Sequence, residues 1–120
     1  MKILISDDDR DMLNLLRFIL SDEGYEIETA ANGKEAIKKI SKNEYEMLLL
    51  DYDLRDMTGI EVIRYMKDHN ITSKVIMISG HSKNELKPKT VELGVDKIMS
   101  KPFEVQALLE NVNSMAGKVH

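Results

Sequence analysis

A chain of 120 residues is long enough for one ordinary domain with a single core and too short for two. With 42% hydrophobic and 32% charged residues it reads as a globular fold, and a net charge of −4 without a basic stripe speaks against direct nucleic-acid binding. The absence of cysteine excludes disulfides, thiolate metal sites and cysteine nucleophiles together; with no membrane-length apolar run and no signal-peptide pattern, a cytoplasmic location is the default expectation.

Near the N-terminus Ile3, Leu4 and Ile5 stand in succession, the pattern of a strand buried on both faces over Lys2 to Ser6. Asp7, Asp8 and Asp9 follow at once. Asp9 suits the N-cap of a helix running to about Asp22, with Met12, Leu13, Leu16, Ile19 and Leu20 at helical spacing and Gly24 at its end. Tyr25 to Thr29 alternates polar and apolar, as a strand at a sheet edge does. Asn32-Gly33 opens a second helix whose inward residues are Ala36, Ile37 and Ile40.

Met47-Leu48-Leu49-Leu50-Asp51 is a second continuous apolar run, and it stops abruptly on a carboxylate, with Asp53 two positions on. A polar loop through Thr58-Gly59 leads to a third helix carrying Ile60, Ile63 and Met66, with Val62 alongside, that ends near His69-Asn70. Val75 to Ile78 is again continuous and stops on Ser79-Gly80. A fourth helix is expected from about Lys87 to Leu93, since Pro88 is best tolerated in a first turn. Val95 to Ser100, interrupted by Asp96 and Lys97, reads as the other edge strand. Lys101-Pro102-Phe103 then precedes a last helix with Val105, Leu108, Leu109, Val112 and Met115 inward, and residues 117–120 read as a frayed tail.

Five strands alternating with five helices over residues 1–120 imply an α/β fold. The expectation is a single doubly wound (βα)5 domain with a five-stranded parallel sheet in the order 2-1-3-4-5. That order reverses between strands one and three, and ligands bind in the crevice at such a point, outside the carboxyl ends of the strands. Asp7, Asp8 and Asp51 all empty into it. Three carboxylates within ~4 Å of one another repel by roughly 4 kcal/mol per pair at an effective dielectric near 20, so such a cluster holds a proton or a cation. With no Cys and no His beside the acids, oxygen ligands favour Mg²⁺, with Mn²⁺ as a substitute.

Magnesium takes one or two carboxylates and keeps room for phosphate oxygens. Phosphoryl transfer then needs an in-line nucleophile and positive charge around the equatorial oxygens. Asp51 can be the nucleophile, with Lys101 and the Ser79 hydroxyl on the remaining oxygens. Taken singly, each residue has an ordinary explanation. Asp7 to Asp9 could cap a helix, Ser79 could serve a turn and Lys101 could be a surface lysine. His69, His81 and His120 share no ligand spacing, and the eight Met residues read as core filler, except Met57, which as a loop residue would cover the site.

Four motifs in this order carry a resemblance along the whole chain: Ile3-Leu4-Ile5-Ser6-Asp7-Asp8-Asp9; Leu48-Leu49-Leu50-Asp51 followed by Met57-Thr58-Gly59; Ile76-Met77-Ile78-Ser79-Gly80; and Ser100-Lys101-Pro102-Phe103. The chain resembles a response-regulator receiver domain of two-component signalling. The resemblance implies that Asp51 accepts a phosphoryl group from a sensor histidine kinase or a histidine phosphotransfer protein. It implies Mg²⁺ held by Asp8, Asp51 and the Asp53 backbone carbonyl, with Asp7 acting through water. Ser79 would swing toward the phosphoryl group, Lys101 would pair with it, and a cis Lys101-Pro102 bond would aim the lysine inward. A switched output surface around the fourth helix, fifth strand and last helix, and a phosphorylation-dependent dimer, are implied as well.

Some positions depart from the usual pattern. Ile98 stands where an aromatic residue often reports activation, Arg55 where proline is common, and Pro88 lies in a helix that usually belongs to the output face. Asp53 and His81, two residues beyond the acceptor and the hydroxyl, occupy positions that tune phosphate lifetime in such domains. Two other readings compete. Asp51-Tyr52-Asp53 is similar to the nucleophile and acid/base pair of haloacid-dehalogenase-like phosphatases, although there the acid pair follows the nucleophile and a cap or substrate insert is needed. A receiver-like binding module that acts without phosphorylation is the other.

Overall fold

The structure, a computed structural model, describes residues 1–80, 90 and 92–117. Its five strands are β1 (Lys2–Ser6), β2 (Glu26–Ala30), β3 (Met47–Asp51), β4 (Lys74–Ser79) and β5 (Lys97–Ser100). They form one parallel sheet in the order β2-β1-β3-β4-β5, as expected. The helices among the described residues are α1 (Arg10–Asp22), α2 (Gly33–Lys42), α3 (Gly59–Asp68) and α4 (Val105–Met115). Most of the helix expected from Lys87 to Leu93, together with Pro88 and His81, lies outside the described residues, as does the tail beyond Gly117; Thr90 and Glu92 are helical.

Alternation along the strands divides the core into two layers. Leu4, Leu48, Leu50, Val75 and Met77 face the α2 and α3 side, against Ala36, Ile40, Ile60, Val62, Ile63 and Met66. Ile3, Ile5, Met47, Leu49, Ile76 and Ile78 face the other way, against Leu13, Leu16 and Leu20 of α1 and Leu108 and Val112 of α4. Both faces of β1, β3 and β4 are therefore dry, which is why these strands read as unbroken apolar runs. Each fully buried aliphatic side chain contributes roughly 1.5–3 kcal/mol.

Helix starts follow local chemistry. The Asp9 carboxylate accepts the Asp11 and Met12 N–H groups, the Asn32 side chain accepts that of Glu35, and Thr58 with Glu61 forms a reciprocal capping box on α3. Three expectations need correction. β2 starts at Glu26 rather than Tyr25, because the Tyr25 N–H closes the end of α1 on the Leu20 carbonyl at 3.2 Å. β5 starts at Lys97 rather than Val95. Val95 bonds to the Thr90 carbonyl, while the Asp96 carboxylate takes the Val75 N–H at 2.8 Å. Val105 is exposed rather than inward, and Phe103 packs against that layer in its stead.

Two buried polar residues did not show in the pattern. Asn113 accepts from the Tyr25 hydroxyl and donates to Glu23 at 3.3 Å, tying α4 to the turn after α1. Ser6 is 1% exposed, and its Oγ is the one buried side-chain N or O without a partner among the described residues. Burying an unbonded hydroxyl costs about 1–3 kcal/mol, so Ser6→Ala should raise the unfolding free energy by about 1 kcal/mol. Urea denaturation reads this directly; a variant no more stable than wild type contradicts it.

Candidate phosphoacceptor and metal site

Strand register brings the polar residues together. Ser6 pairs with Leu50 across β1 and β3, Asp51 with Ile78 across β3 and β4, and Ser79 with Ser100 across β4 and β5. The strands thus end level, and Asp7, Asp51, Ser79 and Lys101 emerge side by side at their carboxyl ends. Asp7, Asp8 and Asp51 each offer a carboxylate oxygen within 4.8 Å of the others. Asp7 and Asp51 are buried and Asp8 half-buried.

Lys101 closes this cluster from the β5 side. Its Nζ lies 2.9 Å from Asp51 Oδ2 and 3.2 Å from Asp7 Oδ2. The other Asp7 oxygen accepts the Asp9 N–H at 2.9 Å, and Asp51 Oδ1 accepts the Asp53 N–H at 3.3 Å. The Lys101-Pro102 bond is cis, and the Lys101 N–H donates to the Ser79 carbonyl at 2.7 Å. Ser79 itself is fully buried.

The electrostatics follow from this crowding. Burial pushes the Asp51 carboxyl up to about 6; the Lys101 hydrogen bond opposes the shift and the Asp7 charge adds to it. Burial tends to lower the Lys101 ammonium, but its bonds to Asp51 and Asp7 outweigh that and hold it above its ordinary value. One lysine faces two buried carboxylates with a third beside them, so the site carries excess negative charge on hard oxygen atoms. That donor set fits a divalent oxygen-loving cation such as Mg²⁺.

The loop after β3 is shaped by close approaches. A Cβ on Gly59 would fall 2.8 Å from the Asp51 carbonyl oxygen, which explains the glycine of the Met57-Thr58-Gly59 motif. Met57, expected over the site, packs on the start of α2. Its side chain lies over Gly33 at the start of α2, where a Cβ would fall 2.2 Å from Met57 Cγ. Asp56, which did not stand out in the sequence, accepts the Gly33 and Lys34 N–H groups at 2.8 and 3.0 Å. Slight burial works against it, but these N–H groups and those of Asp56 and Met57 hold its carboxyl below the usual range.

The family model for the response regulator receiver domain matches residues 3–113. The chain belongs to that family. It is 31% identical over 114 residues to the alkaline phosphatase synthesis transcriptional regulatory protein PhoP of Bacillus subtilis, covering 95% of this chain and 48% of PhoP. The chain spans about half the length of the curated relatives it matches. Among solved structures, a CheY-like receiver domain protein of Methanospirillum hungatei JF-1 superposes with a TM-score of 0.88 at 33% identity, covering 97% of this chain and 94% of that one. The response regulator TrrA of Thermotoga maritima, in complex with Mg²⁺ and BeF, superposes with a TM-score of 0.84 at 31% identity, covering 95% and 97%.

This receiver domain thus has the expected order of strands, and a related receiver holds Mg²⁺. Receiver domains of response regulators take phosphoryl groups from kinases or phosphotransfer proteins and are not in general substrate-turnover enzymes. Among the described residues no helix is long and apolar enough to cross a membrane.

Proposed function

We propose that the receiver domain, residues 1–120 as one unit, takes a phosphoryl group onto Asp51 from a sensor histidine kinase or a histidine phosphotransfer protein. The observation that carries this reading is the placement of a buried carboxylate at the end of β3, facing Asp7 and the Lys101 ammonium at 2.9 Å. The ionised Asp51 oxygen attacks phosphorus in line; an O–P bond forms as the N–P bond of the phosphoimidazole breaks, and the imidazole nitrogen leaves with the electron pair. Lys101 shifts its ammonium from the carboxylate to an equatorial phosphoryl oxygen, and the Ser79 hydroxyl donates to another. Asp8, Asp51 and the Asp53 backbone carbonyl would hold Mg²⁺ or Mn²⁺, with Asp7 acting through water. The bound ion supplies positive charge that the lysine alone does not provide.

The modified Asp51 then biases a two-state surface formed by the segment before β5, β5 itself and α4, with Ile98 on β5 in place of an aromatic reporter. Near-complete switching requires ~5.5 kcal/mol of differential affinity between the states. Asp53 and His81, each two residues beyond a residue of the site in the sequence, set the lifetime of the modified state. Output partners, a phosphorylation-dependent dimer and a cytoplasmic setting belong to the same reading, as does the absence of turnover on an external substrate. With a generic aryl phosphate and Mg²⁺, no sustained hydrolysis is expected beyond one phosphoryl group per chain; continuous turnover supports a phosphatase instead.

A further inference from the structure

Between Asp51 and the Thr58 cap, the chain turns on a residue poorly suited to the turn. Arg55 has φ +70°, and the Asp56 N–H donates back to the Leu54 carbonyl at 2.8 Å. A bond from residue i to i+2 around a positive φ is the strained form of the γ-turn, and a long side chain with φ > 0 adds to the strain. Such a backbone persists only where its surroundings over-determine it. On the near side the surroundings are the buried Leu54, whose N–H bonds to the Met57 carbonyl at 3.0 Å, and a bridge between Asp53 and Thr58.

On the far side the holder is Asp56. Its two oxygens accept the Gly33 and Lys34 N–H groups, the first two of α2 and otherwise unmatched within that helix. The local cap Asn32 reaches only Glu35, at 2.8 Å, so the start of α2 is completed by a residue 23 positions away. Met57 lies over the bare Cα of Gly33 beside this grip. Asp53 sits between the strained turn and Asp51, to whose Oδ1 its N–H donates.

We propose that Asp56 is a positioning residue for the phosphorylation site. By gripping the first turn of α2 it holds the strained turn at Arg55, and through that turn it fixes the backbone of Asp53 beside the carboxylate cluster. The proposal rests on the reading of Asp53 as a metal ligand through its carbonyl. Asp56 touches neither the ion nor the phosphoryl group and acts through the loop alone.

Two variants separate this from a simple charge effect, because both remove the negative charge but only one removes the acceptor. Asp56→Asn keeps a side-chain oxygen for the α2 N–H groups; Asp56→Ala keeps none. Mg²⁺ titration by calorimetry on the whole chain should show Asp56→Ala weakened about tenfold, the size of effect a supporting residue has on a metal site, and Asp56→Asn, which keeps one of the two acceptors, weakened clearly less. Amide exchange should be faster at Gly33 and Lys34 in the alanine variant while the strand amides stay protected. Equal Mg²⁺ affinity in wild type and Asp56→Ala, or an equal loss in both variants, overturns the proposal while leaving the site reading intact. A wild-type chain that binds no Mg²⁺ overturns the site reading, and the proposal with it.

Discussion

Asp51→Asn should unfold at a higher urea concentration than wild type above pH 6 and lose that advantage below about pH 4. The reason lies in the burial that makes the site reactive. In the folded chain the Asp51 carboxyl is pushed up to about 6 from an ordinary 3.8. The fold thus favours the protonated form. Its contribution to stability is fully present below the unfolded value near 3.8, and it is lost as pH rises through the folded value near 6. At neutral pH wild type carries an ionised carboxylate that the fold disfavours, while asparagine mimics the protonated acid at every pH. A shift of about two units corresponds to about 2–3 kcal/mol. Mg²⁺ should narrow the gap, because binding to the folded wild type stabilises it by mass action. A variant that is less stable than wild type at pH 7.5 contradicts this account of the site.

Lys101→Met tests the opposite side of the same balance. Methionine keeps an unbranched apolar stem, one atom shorter, and removes the charge that sits 2.9 Å from Asp51 and 3.2 Å from Asp7. Two nearly dry carboxylates are then left facing each other. Breaking a buried pair costs 3–5 kcal/mol when the remaining charge is fully enclosed; with Lys101 itself 27% exposed, about 2–3 kcal/mol is expected at pH 8. The deficit should shrink at pH 5, where Asp51 protonates, and it should shrink again when Mg²⁺ is added at pH 8. The variant should also bind Mg²⁺ more tightly than wild type, since the competing ammonium is gone. A deficit that is the same at both pH values and indifferent to Mg²⁺ would assign Lys101 to packing rather than to charge compensation.

Much of this is legible in the sequence. Continuous apolar runs at Ile3–Ile5, Met47–Leu50 and Val75–Ile78 suit strands buried on both faces in the centre of a parallel sheet, and an alternating strand at 25–29 belongs at its edge. Once the strands are ordered, acids and a lysine at strand ends must meet, so Asp7, Asp8, Asp51 and Lys101 converge without further information. Asp56 was hidden because its partners Gly33 and Lys34 are distant in sequence and because Asn32 already supplied a local cap. Asn113 lies on the otherwise apolar inner face of α4, where the buried Tyr25 hydroxyl and the Glu23 carboxylate partner it, and both are distant in sequence. Val105 satisfies the helical period, yet the period says nothing about where a neighbouring Phe103 will pack. The seat that Met57 occupies is made by the missing Cβ of Gly33, a contact that its place in the loop does not announce. Periodicity reports which face is dry; it does not report contacts between loops.

The most direct measurement is the mass of the intact chain after treatment with acetyl phosphate and Mg²⁺, followed by peptide mapping of the modified residue. The account predicts one added phosphoryl group, carried by Asp51, absent when the divalent cation is chelated and absent in Asp51→Asn. A phosphoryl group mapped to another residue, or none on wild type with Mg²⁺ present, would contradict it.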